Sequence, residues 1–349
     1  MSHRERLRVT VAGLKHGENH AELIAGRDDM ELVAVCDLDE DKARAVLTEH
    51  APGCNGVFTD YDAMLDSVEP DISVIATPVS CHASMATAAL ERNIHVFLEK
   101  PLAVNLEEAR DIGQAAERSR GICQIGYEKL SSPLIREVQR LIDTGQLGNL
   151  VVMWSHEFRE ITNPNAWRFQ RGHTWGLFFD CQVHEFSIMT KLAGSDFHRV
   201  CAFGAPQGRR GPVETDLPET VTASIEYKNG VRASAAFSQV SQTHKNDMFG
   251  FVGTDGRMVV DPFFPEGPGS LNLYTRKGLY KTETVVDGAK ASHGHIGFTE
   301  QYDYFVRSVQ EGAPVVADLA NAIDTQRLMA AFELSIAEGR IVTRDEFEL

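Results

Sequence analysis

The first 126 residues alternate short apolar runs with helix-forming stretches, and few folds accommodate that pattern. Leu7 to Ala12, Leu32 to Cys36, Asp71 to Thr77, His95 to Glu99 and Ile122 to Gly126 read as buried strands. Between them, Ala21 to Ala25, Glu40 to His50, Asp62 to Asp66, Ala83 to Glu91 and Glu107 to Arg118 have helical composition. Strand–helix alternation predicts a parallel sheet with helices on both faces. Such sheets bind ligands beyond the carboxyl ends of their strands, so the residues just after each strand are the first site candidates.

The first strand meets Gly13, then Leu14, Lys15, His16 and Gly17 lead into a helix. Strand, glycine turn and helix N-terminus are the layout of a dinucleotide-binding loop, where unpaired N–H groups face a pyrophosphate. The G-x-G-x-x-G fingerprint is not met, because Lys15 and Glu18 stand at the second and third glycine positions. Gly17 can restore the close approach, and Lys15 or His16 can contact phosphate. Asp37, followed by Leu38, ends the second strand. An acid there accepts hydrogen bonds from ribose hydroxyls and repels a 2′-phosphate, which favours NAD over NADP. Asp37 can equally cap the helix from Glu40 to His50. Thr77, Pro78 and His82 form a loop at the same edge. Pro101 has no N–H for a ladder, so the strand from His95 stops before it, leaving Glu99 and Lys100 at the carboxyl edge.

After a helix from Pro133 to Thr144 and a strand from Leu150 to His156, the alternation ceases. Strand-like segments recur at Arg199 to Phe203, Glu219 to Glu226, Arg232 to Gln239, Phe249 to Gly253 and Arg257 to Val260. Asn229-Gly230 and Asp255-Gly256 supply hairpin chemistry, so an antiparallel sheet is expected. Asp261 to Val286 reads as loop-rich, and Gly297 to Glu311 and Asp318 to Glu338 as helices, with Phe298, Tyr302 and Phe305 in the core. The expected organisation is an α/β Rossmann-type domain over 1–126. An α+β domain with a large open, mainly antiparallel sheet follows over 127–349. Asp180 and His184 are four apart on one predicted helix and share a face, where a carboxylate can orient an imidazole.

The 349 residues carry a net charge of −16, which disfavours a nucleic-acid backbone or an anionic membrane as partner. Six scattered cysteines (Cys36, Cys54, Cys81, Cys123, Cys181 and Cys201), with no C-x-x-C pair, fit reduced thiols of a cytoplasmic protein. The polar start has no signal-peptide core, and no apolar run approaches bilayer-spanning length. Cys181, His184 and His173 lack a fourth ligand at zinc spacing, so no metal is expected.

The glycine turn, Asp37, Thr77-Pro78 with His82, and Glu99-Lys100-Pro101 resemble, in order and spacing, the Gfo/Idh/MocA oxidoreductases. The stretch from Asp180 to Ser187 resembles that family's D-x-G-x-H-x-x-D motif, with Gln182 for the glycine and Ser187 for the last acid. Trp167-Arg168 matches a family W-R pair. The resemblance implies an NAD-dependent oxidation of a secondary hydroxyl on a sugar, cyclitol or glycoside. It assigns His184 as base, Asp180 as its orienting carboxylate, and Lys100 as donor to the substrate oxygen. Glu99 orients the nicotinamide ribose or Lys100, and the Lys100-Pro101 bond is one that members often hold cis. Tyr127, Trp167 and Arg168 face the cleft, and His156, Arg171 and His295 are weaker candidates for sugar hydroxyls. The resemblance also implies a homodimer or homotetramer built through the second sheet. Two other readings remain at this level: a redox-neutral glycoside hydrolase or lyase using bound NAD, and a non-catalytic NAD-binding protein.

Overall fold

Leu7–Ala12 (β1) is followed at once by Leu14–Ala25 (α1), with Gly13 as the only residue between them. In this computed structural model the described residues are 6–158, 177–206, 218–240, 246–261, 269–276, 278–284 and 297–347. The chain packs as two units. The first takes in residues up to Gly126 together with Asp303–Leu319, the second Tyr127–Tyr302 with Ala320–Leu349. Residues 303–319, read from the sequence as part of the second domain, therefore pack with the first. Phe305 sets its ring against Phe97 at 5.8 Å, and Ala317 accepts the Ile125 N–H at 3.0 Å.

The first unit continues with Met30–Cys36 (β2), Glu40–His50 (α2), Val57–Phe58 (β3), Tyr61–Val68 (α3) and Ile72–Ile75 (β4). His82–Glu91 (α4), His95–Leu98 (β5), Leu106–Arg118 (α5) and Cys123–Ile125 (β6) complete it. The six strands are parallel in the order β3-β2-β1-β4-β5-β6. That order reverses between β1 and β4, which opens the ligand crevice beyond their carboxyl ends. β4 and the last three residues of β5 are wholly buried, as a sheet covered on both faces requires. The helix starts are capped by local chemistry: Asp39 accepts the Lys42 N–H at 3.1 Å and Asn105 accepts that of Glu108 at 2.8 Å. Asp39, not Asp37, is thus the cap of α2.

β5 stops at Leu98, earlier than the sequence reading placed it. Glu99 still donates its N–H to Ile75 at 2.8 Å, but the Lys100 N–H turns to the Glu99 carboxylate at 3.1 Å, so the ladder ends there. The Lys100–Pro101 peptide is cis.

The second unit begins with Glu128–Ser131 (α6), Pro133–Asp143 (α7), Leu150–Phe158 (β7) and Leu177–Ala193 (α8). Phe197–Ala205 (β8), Thr220–Tyr227 (β9), Arg232–Ser238 (β10), Asn246–Gly253 (β11), Gly256–Asp261 (β12), Gly269–Thr275 (β13) and Gly278–Thr284 (β14) follow. Phe298–Glu311 (α9), Leu319–Glu338 (α10) and Val342–Thr343 (β15) close the chain. The sheet runs β14-β13-β12-β11-β7-β10-β9-β8-β15, antiparallel except for the parallel pair β7/β10. The stretch Asp261 to Val286, expected to be loop, holds the hairpin β13/β14. Leu271 and Leu273 point inward from β13 as alternate residues, a period of two that the flanking prolines and glycines obscured.

Helices α8 and α10 cover the inner face of this sheet. The Ala202 N–H donates to Ser335 Oγ at 2.9 Å, Asn321 Nδ2 donates to the Ser187 carbonyl at 3.2 Å, and Phe186 stacks on Phe332 at 4.8 Å. The outer face keeps apolar side chains exposed, Phe203 to 67% and Leu279 to 59%. No helix among the described residues is long and apolar enough to cross a membrane.

Candidate active site

The crevice edge of the first unit is built on close backbone approach. Gly13 has φ +81°, and a Cβ there would stand 2.7 Å from both the N and Cα of Thr77. Only glycine fits. A Cβ on Gly17 already meets Val11 at 2.9 Å, so a longer side chain would push α1 off β1. This is the third-glycine function of the fingerprint, carried out by a residue displaced from the usual spacing. Lys15 and His16 are exposed on the first turn of α1.

Asp37 ties the turn to the second strand. Its Oδ2 accepts the Leu14 N–H at 2.7 Å, and its Oδ1 accepts the Asp39 N–H at 3.0 Å. A carboxylate offers about four acceptor directions, so both oxygens retain capacity for ribose hydroxyls. Leu38 beside it is 93% exposed. These features fit a dinucleotide: a side-chain-free turn at a helix N-terminus, with an acid at the end of the neighbouring strand.

Thr77 and Pro78 lie at the carboxyl end of β4. His82 is buried, with Nδ1 2.9 Å from the Pro101 carbonyl and Nε2 3.1 Å from that of Thr77. Both ring nitrogens are engaged with backbone, so His82 fastens the Thr77 loop to the Lys100–Pro101 turn. Burial pushes its pKa down, against the pull of the two carbonyls and Glu99.

Glu99 is buried, with Oε1 3.2 Å from His20 Nε2 and 3.8 Å from His16 Nε2. Burial opposes its ionisation, but the His20 hydrogen bond and the charges of His20, His16 and Lys100 prevail and bring it down to about 2. A Cβ on Gly126 would sit 2.6 Å from Glu99 Oε1, so that glycine keeps room for the carboxylate. His20 was not singled out from the sequence. Its one signal was the i, i+4 spacing from His16, and nothing local pointed to Glu99.

In the second unit, Tyr127 is fully buried and sets its ring edge-on to His184, with centroids 6.3 Å apart. Its hydroxyl has no hydrogen-bond partner among the described residues. Burial pushes its pKa up. His184 is buried in α8, and Asp180 lies one turn earlier in the same helix, its side chain outside the described residues. Gln182 donates to Glu157 Oε2 at 2.6 Å, and Ser187 Oγ donates to the His184 carbonyl at 2.7 Å. The two departures from the family motif thus serve the interior of the unit. Lys129 and Glu185 form a buried ion pair beneath the same helix, which the sequence did not disclose. His156 lies on the outer face of β7, its ring 5.0 Å from Trp154. Trp167, Arg168, Arg171, His173 and His295 lie outside the described residues.

Comparison with known proteins places these features. A family model described as "Oxidoreductase family, NAD-binding Rossmann fold" matches residues 7–127, and the "GFO/IDH/MocA C-terminal domain" matches residues 135–259. The chain is 25% identical over 329 residues to the scyllo-inositol 2-dehydrogenase (NAD(+)) of Bacillus subtilis, covering 93% of each. It is 24% identical to the 4-carboxy-2-hydroxymuconate-6-semialdehyde dehydrogenase of a Sphingobium strain, covering 95% of this chain and 99% of that one. The myo-inositol 2-dehydrogenase structure from Lactobacillus plantarum has the same fold, with a TM-score of 0.81, 20% identity, and coverage of 97% of this chain and 99% of that one. With both of its parts matched by that family's models, a parallel sheet that presents Gly13 and Asp37 at its crevice, and a Glu-Lys-Pro turn after β5, the chain belongs to the Gfo/Idh/MocA family of NAD-dependent oxidoreductases.

Proposed function

We propose that this protein is a dehydrogenase that oxidises a secondary hydroxyl of a sugar, cyclitol or glycoside with NAD. The observation that carries the reading is the Glu99-Lys100-Pro101 turn. It lies directly after β5 at the carboxyl edge of the sheet that carries Gly13 and Asp37. The relatives named for inositol oxidation support the substrate class.

NAD, when bound, supplies the hydride acceptor. Gly13, Leu14, Lys15 and His16 would hold its pyrophosphate, and Asp37 its adenosine ribose, with Leu38, Thr77, Pro78, Trp167 and Arg168 around it. Lys100 is assigned as the donor to the substrate oxygen, lowering the cost of alkoxide character as the C–H bond breaks. Glu99, held beside His20, accepts the Lys100 backbone N–H and so helps fix the turn that carries the lysine. His184 is assigned as the base that takes the hydroxyl proton, oriented by Asp180. Tyr127 and Trp167 are assigned to substrate contact.

A panel of inositols, sugars and glycosides with NAD and NADP tests the reading through stoichiometric appearance of reduced cofactor. Lys100→Ala and His184→Ala are each expected to lower kcat by at least about a hundredfold, the usual reach of acid–base assistance. Turnover that survives Lys100→Ala overturns the assignment. Product formation without net reduced cofactor would instead support the redox-neutral reading.

The outer face of the second sheet is proposed to bind a second copy of the chain. Val252 pairs with Val152 and Tyr274 with Leu279 in register on that face, with Phe158 and Phe203 also exposed. Several large apolar side chains exposed on one sheet face favour an interaction surface. Light scattering on the protein and on Phe203→Glu tests it: an oligomer is expected that the charge weakens, and a monomeric parent sinks the idea.

A further inference from the structure

We propose that His16, His20 and Glu99 form a site for a divalent transition-metal ion of the zinc class. α1 carries the two histidines one turn apart on one face. Glu99 Oε1 lies 3.2 Å from His20 Nε2 and 3.8 Å from His16 Nε2, and the three ligand-capable atoms all fall within 4.8 Å of one another. Ligands held about 2.0–2.2 Å from a tetrahedral ion stand about 3.3–3.6 Å apart. The cluster is therefore already near the size of a coordination shell, and only the exposed His16 ring has to close.

Its chemistry also fits. Two imidazoles and one carboxylate are a zinc donor set that leaves a coordination position open. The open side lies at His16, half exposed, while His20 is fully buried and Glu99 nearly so. The ligands are held from behind. His20 packs against Phe97 at 5.6 Å, the second Glu99 oxygen accepts the Lys100 N–H, and Gly126 keeps space for the carboxylate. The Lys100 charge acting on Glu99 opposes a second cation, so micromolar rather than nanomolar affinity is expected.

The site needs no NAD, so its failure would leave the dehydrogenase reading untouched. The test titrates the full chain, free of cofactor, with Co2+ followed by visible absorption, and with Zn2+ by calorimetry. Expected are d–d bands of low-symmetry Co2+ with nitrogen and oxygen ligands, and micromolar binding weakened at least tenfold in His16→Ala. The other histidine–carboxylate group among the described residues, Glu18 with Glu49 and His50, provides the control. His50→Ala should leave binding unchanged. Absence of Co2+ bands and of Zn2+ binding below millimolar in the parent protein overturns the proposal. So does binding that His16→Ala leaves intact.

Discussion

Leu14 donates its backbone N–H to the Asp37 carboxylate across 2.7 Å, joining the turn after β1 to the end of β2. One side chain therefore shapes the turn after β1 and, in the proposed function, supplies the charge that meets the ribose. Asp37→Asn removes the charge and keeps an oxygen for Leu14, but gives up the bond that Oδ1 accepts from the Asp39 N–H. The expected outcome is a melting temperature lowered by only a few degrees, a KM for NAD raised about tenfold, and a narrower preference over NADP, read from initial rates with both cofactors.

Gly13→Ala tests the close approach. The new Cβ would face Thr77 backbone at 2.7 Å in a left-handed conformation, so the loop or β4 must shift. A loss of roughly 1–3 kcal/mol in urea unfolding is expected, with NAD binding lost by calorimetry. Retention of both would show that the loop has slack that its packing hides.

Stability should fall on the acid side in two stages. The pKa of His82 is held down by burial, so the unfolded chain takes up protons first as pH drops below about 6.5. Glu99 is lowered from 4.5 to about 2, so its contribution is complete above 4.5 and disappears as pH falls toward 2. Melting curves from pH 8 to pH 3 check the order. His82→Asn should reduce the upper stage, which His95 and His156, also held down by burial, share, and Glu99→Gln should reduce the lower.

Lys129 and Glu185 are both buried, and removing one takes the ion-pair partner from the other. Glu185→Ala should destabilise the protein by about 3–5 kcal/mol. The double change Lys129→Met with Glu185→Leu should recover most of that loss in chemical denaturation, since hydrophobic replacement of a buried pair is often near neutral.

The sequence by itself determined the order and kind of most elements. Periodicity and caps are local, so Leu7–Ala12, Glu40–His50 and the helix that carries Asp180 and His184 could be read from neighbouring residues alone. The same locality placed Gly13 and Asp37 just after strands and Thr77 and Glu99 at strand ends, the edge where a parallel sheet puts ligands. It failed where breakers masked an alternation, as in the hairpin Gly269–Thr275 with Gly278–Thr284. Only the tertiary structure decided the contacts between distant segments. It paired β7 with β10 in parallel, gave residues 303–319 to the first unit, and turned both His82 nitrogens onto backbone carbonyls. It also brought His16 and His20 to Glu99. None of these follows from spacing along the chain, because each depends on how strands stack and helices pack. Glu99 meets His20 because β5 is adjacent to β4, β4 to β1, and α1 leaves the end of β1.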